Sequence, residues 1–309
     1  MVDEAENQPG INEYYDKEVT LDIDVAGAVA PKAAIVVYFA PHTERGWIDA
    51  LSTAVHDSDN HPSILSISWG AAELQQSNTL IWTHSGMQAM HELLQDAARL
   101  GVTVLAASGD FGTWCKIDDL QAHVLFPAAD PGIIACGGTE APNISYFPAN
   151  EETWVQSGGG VSEVWPPPAW QQRPQSPVDI PRSVNDGASR RSIPDVAGYA
   201  APGCRFIYKY DTSEREDYLA SGTSITTPLY AGLMARISAK LGGPLGHINA
   251  DLYALAGKHV FKDIADDRWN AYAGAPGYVS GKGWDACTGL GVVDGTALLQ
   301  ALSPPSEKD

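Results

Sequence analysis

The chain has 309 residues, with 38 acidic side chains against 19 basic ones and a formal net charge of -19. Proteins that bind nucleic acid or anionic membranes need clustered Lys and Arg to displace counterions, and no stretch of this chain concentrates them. No run of about 18 apolar residues is present, so the sequence predicts no transmembrane helix. The composition, 44% hydrophobic and 18% charged, is typical of a globular protein.

Apolar runs alternate with helical patterns along the first part of the chain, as in parallel strands joined by crossover helices. The pattern predicts strands at residues 33–39, 63–67 and 102–106, and helices at 47–55 and 84–100. In open sheets of this kind, ligands bind at the carboxyl ends of the strands. The loops that follow these strands are therefore expected to carry the chemistry.

The second half of the chain has a weaker pattern. Residues 166–192 are rich in Pro, Gln, Ser and Arg and are predicted to form a long surface loop, because strand and helix patterns resume on both sides. Residues 1–12 and 303–309 are expected to be flexible tails. The sequence predicts a single domain over residues 1–309, of the α/β class, with a mostly parallel central sheet flanked by helices.

The cysteines contain no C-x-x-C pair and no His at zinc spacing. The simplest interpretation is that they are buried free thiols. One disulfide stays open as an alternative, because spacing cannot identify a pair. The four cysteines are Cys115, Cys136, Cys204 and Cys287.

The most informative string, SGTSITTPLYAG, runs from Ser221 to Gly232. Small residues before Ser224 allow a tight turn, and Pro228 is tolerated only in the first turns of a helix. Ser224 would then lie at a helix N-terminus, where unpaired N–H groups favour the negative charge that nucleophilic attack generates. A Ser/Thr pair before an apolar helix is also an ordinary N-cap.

A second motif, EVTLDIDVAGAVAP, begins at Glu18 and predicts a helix that ends before Pro31. Glu18 and Asp22 are four residues apart and share one helix face, whereas Asp24 points elsewhere. If the two carboxylates are buried together they cannot both ionise easily, so one pKa rises and the pair can accept a proton. A solvated acidic helix is the alternative.

Together the two motifs resemble those of the sedolisins, or serine-carboxyl peptidases, especially the kumamolisin-like bacterial members. The serine string also resembles the nucleophile helix of subtilisin-like peptidases, but the H-G-T-H-V motif of the subtilisin catalytic His does not occur. The resemblance implies a subtilisin-like fold, with Ser224 as nucleophile, Glu18 as general base and Asp22 as the residue that orients the base. Further segments extend the resemblance over nearly the whole chain: residues 62–70, 126–129, 135–139, 158–162 and 194–198.

Asp110 lies just past the end of a predicted strand, in the string AASGDFG. A carboxylic acid donates a hydrogen bond to an oxyanion only when it is protonated, which requires a raised pKa or an acidic medium. The resemblance gives Asp110 this role, at a place where subtilisins have Asn. The D-F-G match to a kinase metal motif lacks a phosphate loop and an H-R-D segment and is attributed to chance.

The resemblance also implies a substrate-binding surface around a flanking strand, with Trp82 as the aromatic neighbour of the base. Leu125 stands where close relatives carry an Asp, so a preference for basic substrate side chains is expected to be lost in favour of apolar ones. The implied substrate-binding residues are Ser66, Ser68, Trp69, Gly70, Trp82 and Leu125.

A loop rich in Gly, Ala and Tyr lies between the segments KDI, from residue 262, and GKGWD, from residue 281, within a region of about residues 261–291. Carboxylates combined with carbonyl groups from glycine turns suit Ca²⁺, although turn geometry alone also explains the glycines. No His or Cys is among the candidates, so zinc is not favoured. The resemblance implies one Ca²⁺ site formed by the side chains of Asp263 and Asp285 and the carbonyls of Ile264, Gly281 and Gly283.

The sequence therefore predicts a monomeric, acid-active serine endopeptidase that cleaves polypeptides and binds neither nucleic acid nor membrane. Relatives carry a propeptide and a first strand before the carboxylate helix, and both are expected to be missing here; its own propeptide would be a further partner if the precursor encodes one. The resemblance implies secretion or an acidic compartment, although the acidic residues 1–6 are unlike a signal peptide.

Two other functions stay open from the sequence. One is a catalytically inactive, truncated fragment that binds peptide or calcium without turnover. The other is a subtilisin that works at neutral pH, which the missing His motif disfavours. The charge balance suits work in acid, because a chain with few basic groups accumulates little positive self-repulsion when its carboxylates are neutral.

Overall fold

The computed structural model describes residues 1–73, 82–142, 150–208 and 216–304, without the side chains of residues 207, 208, 216 and 217. The helices of the described residues are α1 (Glu13–Val29), α2 (Glu44–Val55), α3 (His84–Arg99), α4 (Thr223–Leu241), α5 (Asn249–Ala254) and α6 (Gly295–Leu302), with a 3-10 turn at Ala169–Gln171. The strands are β1 (Ile64–Ile67), β2 (Ala71–Ala72), β3 (Thr103–Ala107), β4 (Leu125–Phe126), β5 (Ile134–Glu140), β6 (Glu152–Thr153), β7 (Gly160–Val161), β8 (Ser192–Ile193), β9 (Val196–Ala201), β10 (Cys204–Tyr208), β11 (Glu216–Ala220), β12 (Phe261–Lys262) and β13 (Val292–Val293).

A seven-stranded sheet forms the centre of the fold, in the order β1-β3-β5-β9-β13-β12, with β6 beside β5. The first five strands of this order run parallel, whereas β12 and β6 are antiparallel to their neighbours. The other strands form antiparallel pairs, β2 with β4, β7 with β8 and β10 with β11. The predicted α/β class with a mostly parallel central sheet is confirmed.

Helices cover both faces of the sheet. Along β3, Val104 and Ala106 belong to a core cluster that includes residues of α2 and α3. Leu105 belongs to a second cluster with residues of α4 and α5. Successive residues of a strand point to opposite faces, so β3 is buried on both sides, as is usual in parallel sheets.

The prediction of a buried strand at residues 33–39 is wrong. Ile35, Val36 and Val37 are 43, 39 and 38% exposed, and none of the strands in the described ranges pairs with this segment. Its backbone bonds are a turn bond from the Ala33 N–H to the Ala30 carbonyl at 2.9 Å and a bond from the Val2 N–H to the Phe39 carbonyl at 2.8 Å. An apolar run becomes a strand only when a neighbouring strand supplies partners for its N–H and C=O groups.

The other predicted elements occur close to their expected positions, and α1 begins earlier than expected. Residues 1–12 contact the rest of the protein through Val2, which is buried, whereas residues 305–309 lie outside the described residues. The predicted loop at 166–192 contains the 3-10 turn and a fully buried Arg191. All four cysteines are free thiols. Across the described ranges no helix is long and apolar enough to cross a bilayer.

Candidate active site

Helix α1 carries the two carboxylates predicted to act together. The side chain of Asn12 accepts hydrogen bonds from the backbone N–H groups of Tyr14 and Tyr15, at 3.1 and 3.3 Å. This N-cap starts the helix at Glu13 rather than near Glu18. The helix ends at Val29, because the residue before Pro31 is sterically disfavoured in the α conformation.

The buried face of α1 packs against α4. Leu21 and Val25 share a hydrophobic cluster with Ile225 of α4. At Gly232 a Cβ would lie 2.8 Å from the Cβ of Val29, so the glycine allows the two helices to approach closely. The two carboxylates share this face through the i, i+3, i+4 spacing and are directed toward the N-terminus of α4.

Ser224 is the second residue of α4 and is 7% exposed. The backbone N–H and the hydroxyl of Thr223 donate to Oδ1 of Asp110 at 2.7 and 2.8 Å. At Gly222 a Cβ would lie 2.9 Å from Oδ2 of the same carboxyl group, which favours glycine there. Asp110 and Ser224 are therefore held together at a helix end whose first N–H groups lack helical acceptors.

Glu18 lies beside both of these residues. Burial, opposed by the hydrogen bond from the Ser224 hydroxyl and assisted by the charge of Asp110, raises the pKa of Glu18 to about 7. Oε1 of Glu18 is buried and has no hydrogen-bond partner in the described part of the chain. The carboxylate is thus poorly solvated and has a high proton affinity.

Asp22 lies one helical turn beyond Glu18. Its Oδ1 accepts a hydrogen bond from the Ser68 hydroxyl at 2.6 Å. Burial raises the pKa of Asp22 well above its usual value, and the charge of Glu18 adds to this rise. Two neighbouring carboxylates cannot both ionise cheaply, so the pair holds a proton into the neutral range.

Burial also raises the pKa of Asp110, although both Thr223 bonds and the charge of Lys116 oppose the shift. Because Oδ1 receives both Thr223 bonds, Oδ2 is the oxygen that can carry a proton. The structure thus brings all four predicted catalytic residues together. They offer a nucleophile, a proton acceptor with its neighbour, and a donor for developing negative charge.

The predicted flanking strand corresponds to β1 and the residues that follow it. Ser66 and Gly70 are exposed, and Ser68 and Trp69 are half-buried. Through its bond to Asp22, Ser68 ties the end of this strand to the carboxylate helix. These four residues therefore lie on the accessible side of the site, at the carboxyl end of a strand.

Leu125 is half-buried and packs with Ala72, Cys115 and Ile117 in a small apolar cluster. Its Cδ1 lies 3.0 Å from the position that a Cβ at Gly109 would occupy. Gly109 directly precedes the oxyanion candidate in the chain. The Leu125 side chain therefore places apolar surface beside the residue that precedes that carboxyl group.

The structure places Trp82, predicted to lie beside the base and to bind substrate, among other aromatic rings. Trp82 is 1% exposed and packs edge-on against Trp47 and Phe126, with ring centroids 5.8 and 4.7 Å apart. A motif match gives the position of an aromatic residue along the chain, whereas its burial depends on the neighbouring aromatic rings. Trp82 is part of the core.

Sequence reasoning missed one residue that supports the site and one buried carboxylate elsewhere in the fold. One is Thr223, whose hydroxyl in the G-T-S string was the available signal. The other is Glu73, which is 1% exposed and accepts bonds from the Ser162 hydroxyl and the Glu163 N–H at 2.8 Å each. Burial raises the pKa of Glu73 to about 7. No local pattern distinguishes such a glutamate from an exposed one.

The predicted calcium ligands converge on one turn. The Gly283 N–H donates to Asp263 at 2.8 Å, and the Gly281 N–H donates to Asp285 at 3.0 Å. Burial raises the pKa of Asp285 to about 6, opposed by several backbone N–H groups. The Ile264 carbonyl also lies in this region, where it accepts from a serine hydroxyl at 2.7 Å.

These residues fit a hard cation, since all of their potential ligand atoms are oxygens and two carboxylates contact the same turn. In the described ranges, no group of three or more His, Cys, Asp or Glu side chains could hold a metal ion. Any cation here would therefore take carbonyl groups or water as its other ligands.

A protein-family model described as the subtilase family matches residues 5–249. The chain belongs to the subtilase family. Kumamolisin from a Bacillus species is 45% identical over 99% of this chain and 54% of kumamolisin. Human tripeptidyl-peptidase 1 is 30% identical over 93% of this chain and 52% of the human protein. This subtilase therefore spans about half the length of the curated relatives it matches.

Solved structures support the same conclusion. Pseudomonas sedolisin, a serine-carboxyl proteinase solved with pseudo-iodotyrostatin, superposes on this subtilase with a TM-score of 0.76 at 27% identity, covering 94% of this chain and 79% of sedolisin. A lanthipeptide protease has the same fold, with a TM-score of 0.51 at 15% identity, covering 92% and 74% of the two chains. The predicted sedolisin-like family and subtilisin-like fold are confirmed.

Proposed function

We propose that this subtilase is an acid-active serine endopeptidase of polypeptides, with a Ser224–Glu18–Asp22 triad and Asp110 in the oxyanion hole. One observation carries the proposal. The Ser224 hydroxyl, the Glu18 carboxylate with its pKa of about 7, and the Asp110 carboxyl group lie together at the N-terminus of α4. The likeness to kumamolisin and to a serine-carboxyl proteinase supports the same reaction class.

In the first half of the reaction, Ser224 Oγ bonds to the peptide carbonyl carbon while its proton passes to Glu18. The tetrahedral intermediate then collapses, and the C–N bond breaks as the leaving amine takes that proton from Glu18. Water attacks the resulting acyl-enzyme with the same base, which releases the acid product and restores the serine hydroxyl. Asp22, neutral in the acid range, lets Glu18 carry charge without a like-charged neighbour.

Asp110 stabilises the oxyanion of both tetrahedral intermediates. With Oδ1 occupied by Thr223, a proton on Oδ2 makes a hydrogen bond to the developing charge, together with the Ser224 N–H of the first helical turn. The role needs the neutral acid, because an ionised carboxylate would repel the oxyanion. Burial, which raises the pKa of Asp110, supports this role.

The two acids set opposite limits on pH. Glu18 must be ionised to accept a proton, so activity falls as the pH drops below its pKa of about 7. Asp110 must be protonated to donate, so activity falls as the pH rises above its own pKa, which lies above the usual 3.8. The rate is then bell-shaped in pH, with its maximum between the pKa values of the two acids.

The decisive experiment measures cleavage of a denatured protein from about pH 2 to 8 by the wild type and by Ser224→Ala, Glu18→Gln and Asp24→Asn. We expect an acid maximum that the first two substitutions lower by at least about 10⁴-fold. Asp24 lies on the same helix but is exposed, so Asp24→Asn should keep the profile. Activity that survives Ser224→Ala, or a maximum near pH 8, would contradict the proposal.

The calcium ligands complete the proposal. Asp263 and Asp285, with the carbonyls of Ile264, Gly281 and Gly283, would hold one Ca²⁺ that cross-links the loop to the end of β12. When bound, the ion supplies positive charge that stabilises the fold and takes no part in bond making or breaking. We further propose that the enzyme is a monomeric catalytic domain that is secreted or acts in an acidic compartment, where the pH limits above allow activity.

A further inference from the structure

Three aromatic side chains form an accessible surface beside the catalytic groups, which we call the aromatic rim: Tyr14, Tyr15 and Trp69. Tyr14 is 66% exposed, Tyr15 is 41% exposed and Trp69 is half-buried. Their ring centroids lie 5.7 Å (Tyr14–Tyr15), 6.3 Å (Tyr14–Trp69) and 5.3 Å (Tyr15–Trp69) apart, all in edge-to-face geometry. The rings hold one another in place and still expose apolar area to solvent.

The aromatic rim is continuous with the catalytic residues on two sides. Tyr14 is one helical turn before Glu18, on the same face of α1. Trp69 directly follows Ser68, whose hydroxyl bonds to Asp22 at 2.6 Å. Partial burial and the charges of Glu18 and Asp110 raise the pKa of the Tyr14 phenol, which is consistent with a ring directed at the reacting groups.

We propose that the aromatic rim is a substrate subsite for an aromatic side chain and that Tyr14 determines its specificity. One helical turn is about 5.4 Å, and an extended peptide advances about 3.3 Å per residue. The aromatic side chain therefore belongs to a residue within about two positions of the cleaved bond. This subsite presupposes the peptidase activity proposed above.

The chemistry favours an aromatic occupant over a charged one. An incoming ring can pack against the faces and edges left open at Tyr14 and Trp69, which extends the edge-to-face packing already present. Leu125 packs in a separate apolar cluster and contacts Gly109, the residue before Asp110, so the two surfaces are expected to select different substrate positions. Removing one should leave the preference at the other.

The kinetic test uses alanine-rich octapeptides that carry Phe at one position at a time. For the wild type we expect kcat/KM to be about tenfold higher with Phe than with Ala at one position within two residues of the cleaved bond. Tyr14→Ala should bring this ratio close to one, and Tyr14→Phe should keep it. Leu100, 56% exposed and remote from the site, provides the control Leu100→Ala. A ratio unchanged by Tyr14→Ala would overturn the subsite.

A binding test separates the subsite from catalysis. In a Ser224→Ala background, the affinities of the same Phe and Ala peptides are measured by calorimetry at about pH 5, with and without Tyr14→Ala. We expect the Phe peptide to bind about tenfold more tightly, and Tyr14→Ala to remove the difference. Equal affinities in the Ser224→Ala protein would refute the subsite. If the Phe peptide binds more tightly to the Ser224→Ala protein but the wild type cleaves no peptide, only the peptidase activity is refuted.

Discussion

Two groups of carboxylates in this subtilase, on α1 and in the loop after β12, are largely buried and are bound differently. On α1, Asp22 accepts a hydrogen bond from the Ser68 hydroxyl, and Oε1 of Glu18 has no hydrogen-bond partner in the described part of the chain. In the loop after β12, Asp285 accepts backbone N–H groups from Gly281, Cys287 and Thr288 at 3.0, 2.9 and 2.9 Å. Burial raises the pKa in both regions, but the backbone donors counter the rise only in the loop.

The difference follows from secondary structure. Inside a helix, the backbone N–H groups are consumed by i→i−4 bonds, so a mid-helix carboxylate cannot receive them. In a turn, consecutive N–H groups are free to converge on one carboxylate. The helix therefore keeps Glu18 and Asp22 basic enough to take a proton, whereas the loop keeps Asp285 suited to carry charge beside a cation.

The largest effect is expected from substitutions of Asp110, which test whether its carboxyl group is protonated in the active enzyme. Asp110→Ala should lower kcat by about 10²–10³-fold, because it removes one oxyanion donor. Asp110→Asn should keep more activity and lose the decline at higher pH, since an amide donates at every pH and only Glu18 then titrates. The measurement is kcat across the pH range. An Asn variant with the wild-type profile would show that Asp110 is not the titrating donor.

The next effect concerns Glu73, which is buried like Glu18 but lies outside the triad. Its pKa of about 7 in the folded protein exceeds the usual 4.5, so its contribution to stability is full below pH 4.5 and is lost as the pH rises through 7. This loss is on the order of 3 kcal/mol of unfolding free energy. Glu73→Gln should flatten the decline in urea-unfolding free energy between pH 4.5 and 7.

The matched control for this effect is Glu6→Gln, which changes an exposed carboxylate and should keep the wild-type slope. An equal slope in the Glu73 and Glu6 variants would mean that Glu73 is already ionised in the folded protein.

The smallest effect tests the loop region. Chelation of Ca²⁺ at about pH 6.5 should lower the Tm by about 5 °C, because a ligand at about 100 times its Kd stabilises the fold by about 2.7 kcal/mol. Asp285→Asn should lower the Tm and remove its response to chelator. The exposed Asp251 offers the control Asp251→Asn, which should keep that response. A wild-type Tm that chelator leaves unchanged would argue against the site.

Most of the fold could be predicted where local pattern and burial agree. The helices α2 and α3 and the strands β1 and β3 were predicted because amphipathic and apolar periodicities are local. Residues 33–39 have the same apolar pattern and form no strand, because pairing depends on a neighbour that the pattern does not contain. The burial of Trp82 likewise depends on residues that are distant in sequence, Trp47 and Phe126.

The sequence by itself determined the kinds of chemical group and their local spacing: a carboxylate pair four residues apart on one helix, and a serine after Gly and Thr at the start of another. Only the tertiary structure decided what those groups can do. It joins Asp110 to Thr223 across 113 positions of chain and buries Glu18 against Ser224. A pKa depends on solvent exclusion and nearby charge, and both come from residues distant in sequence.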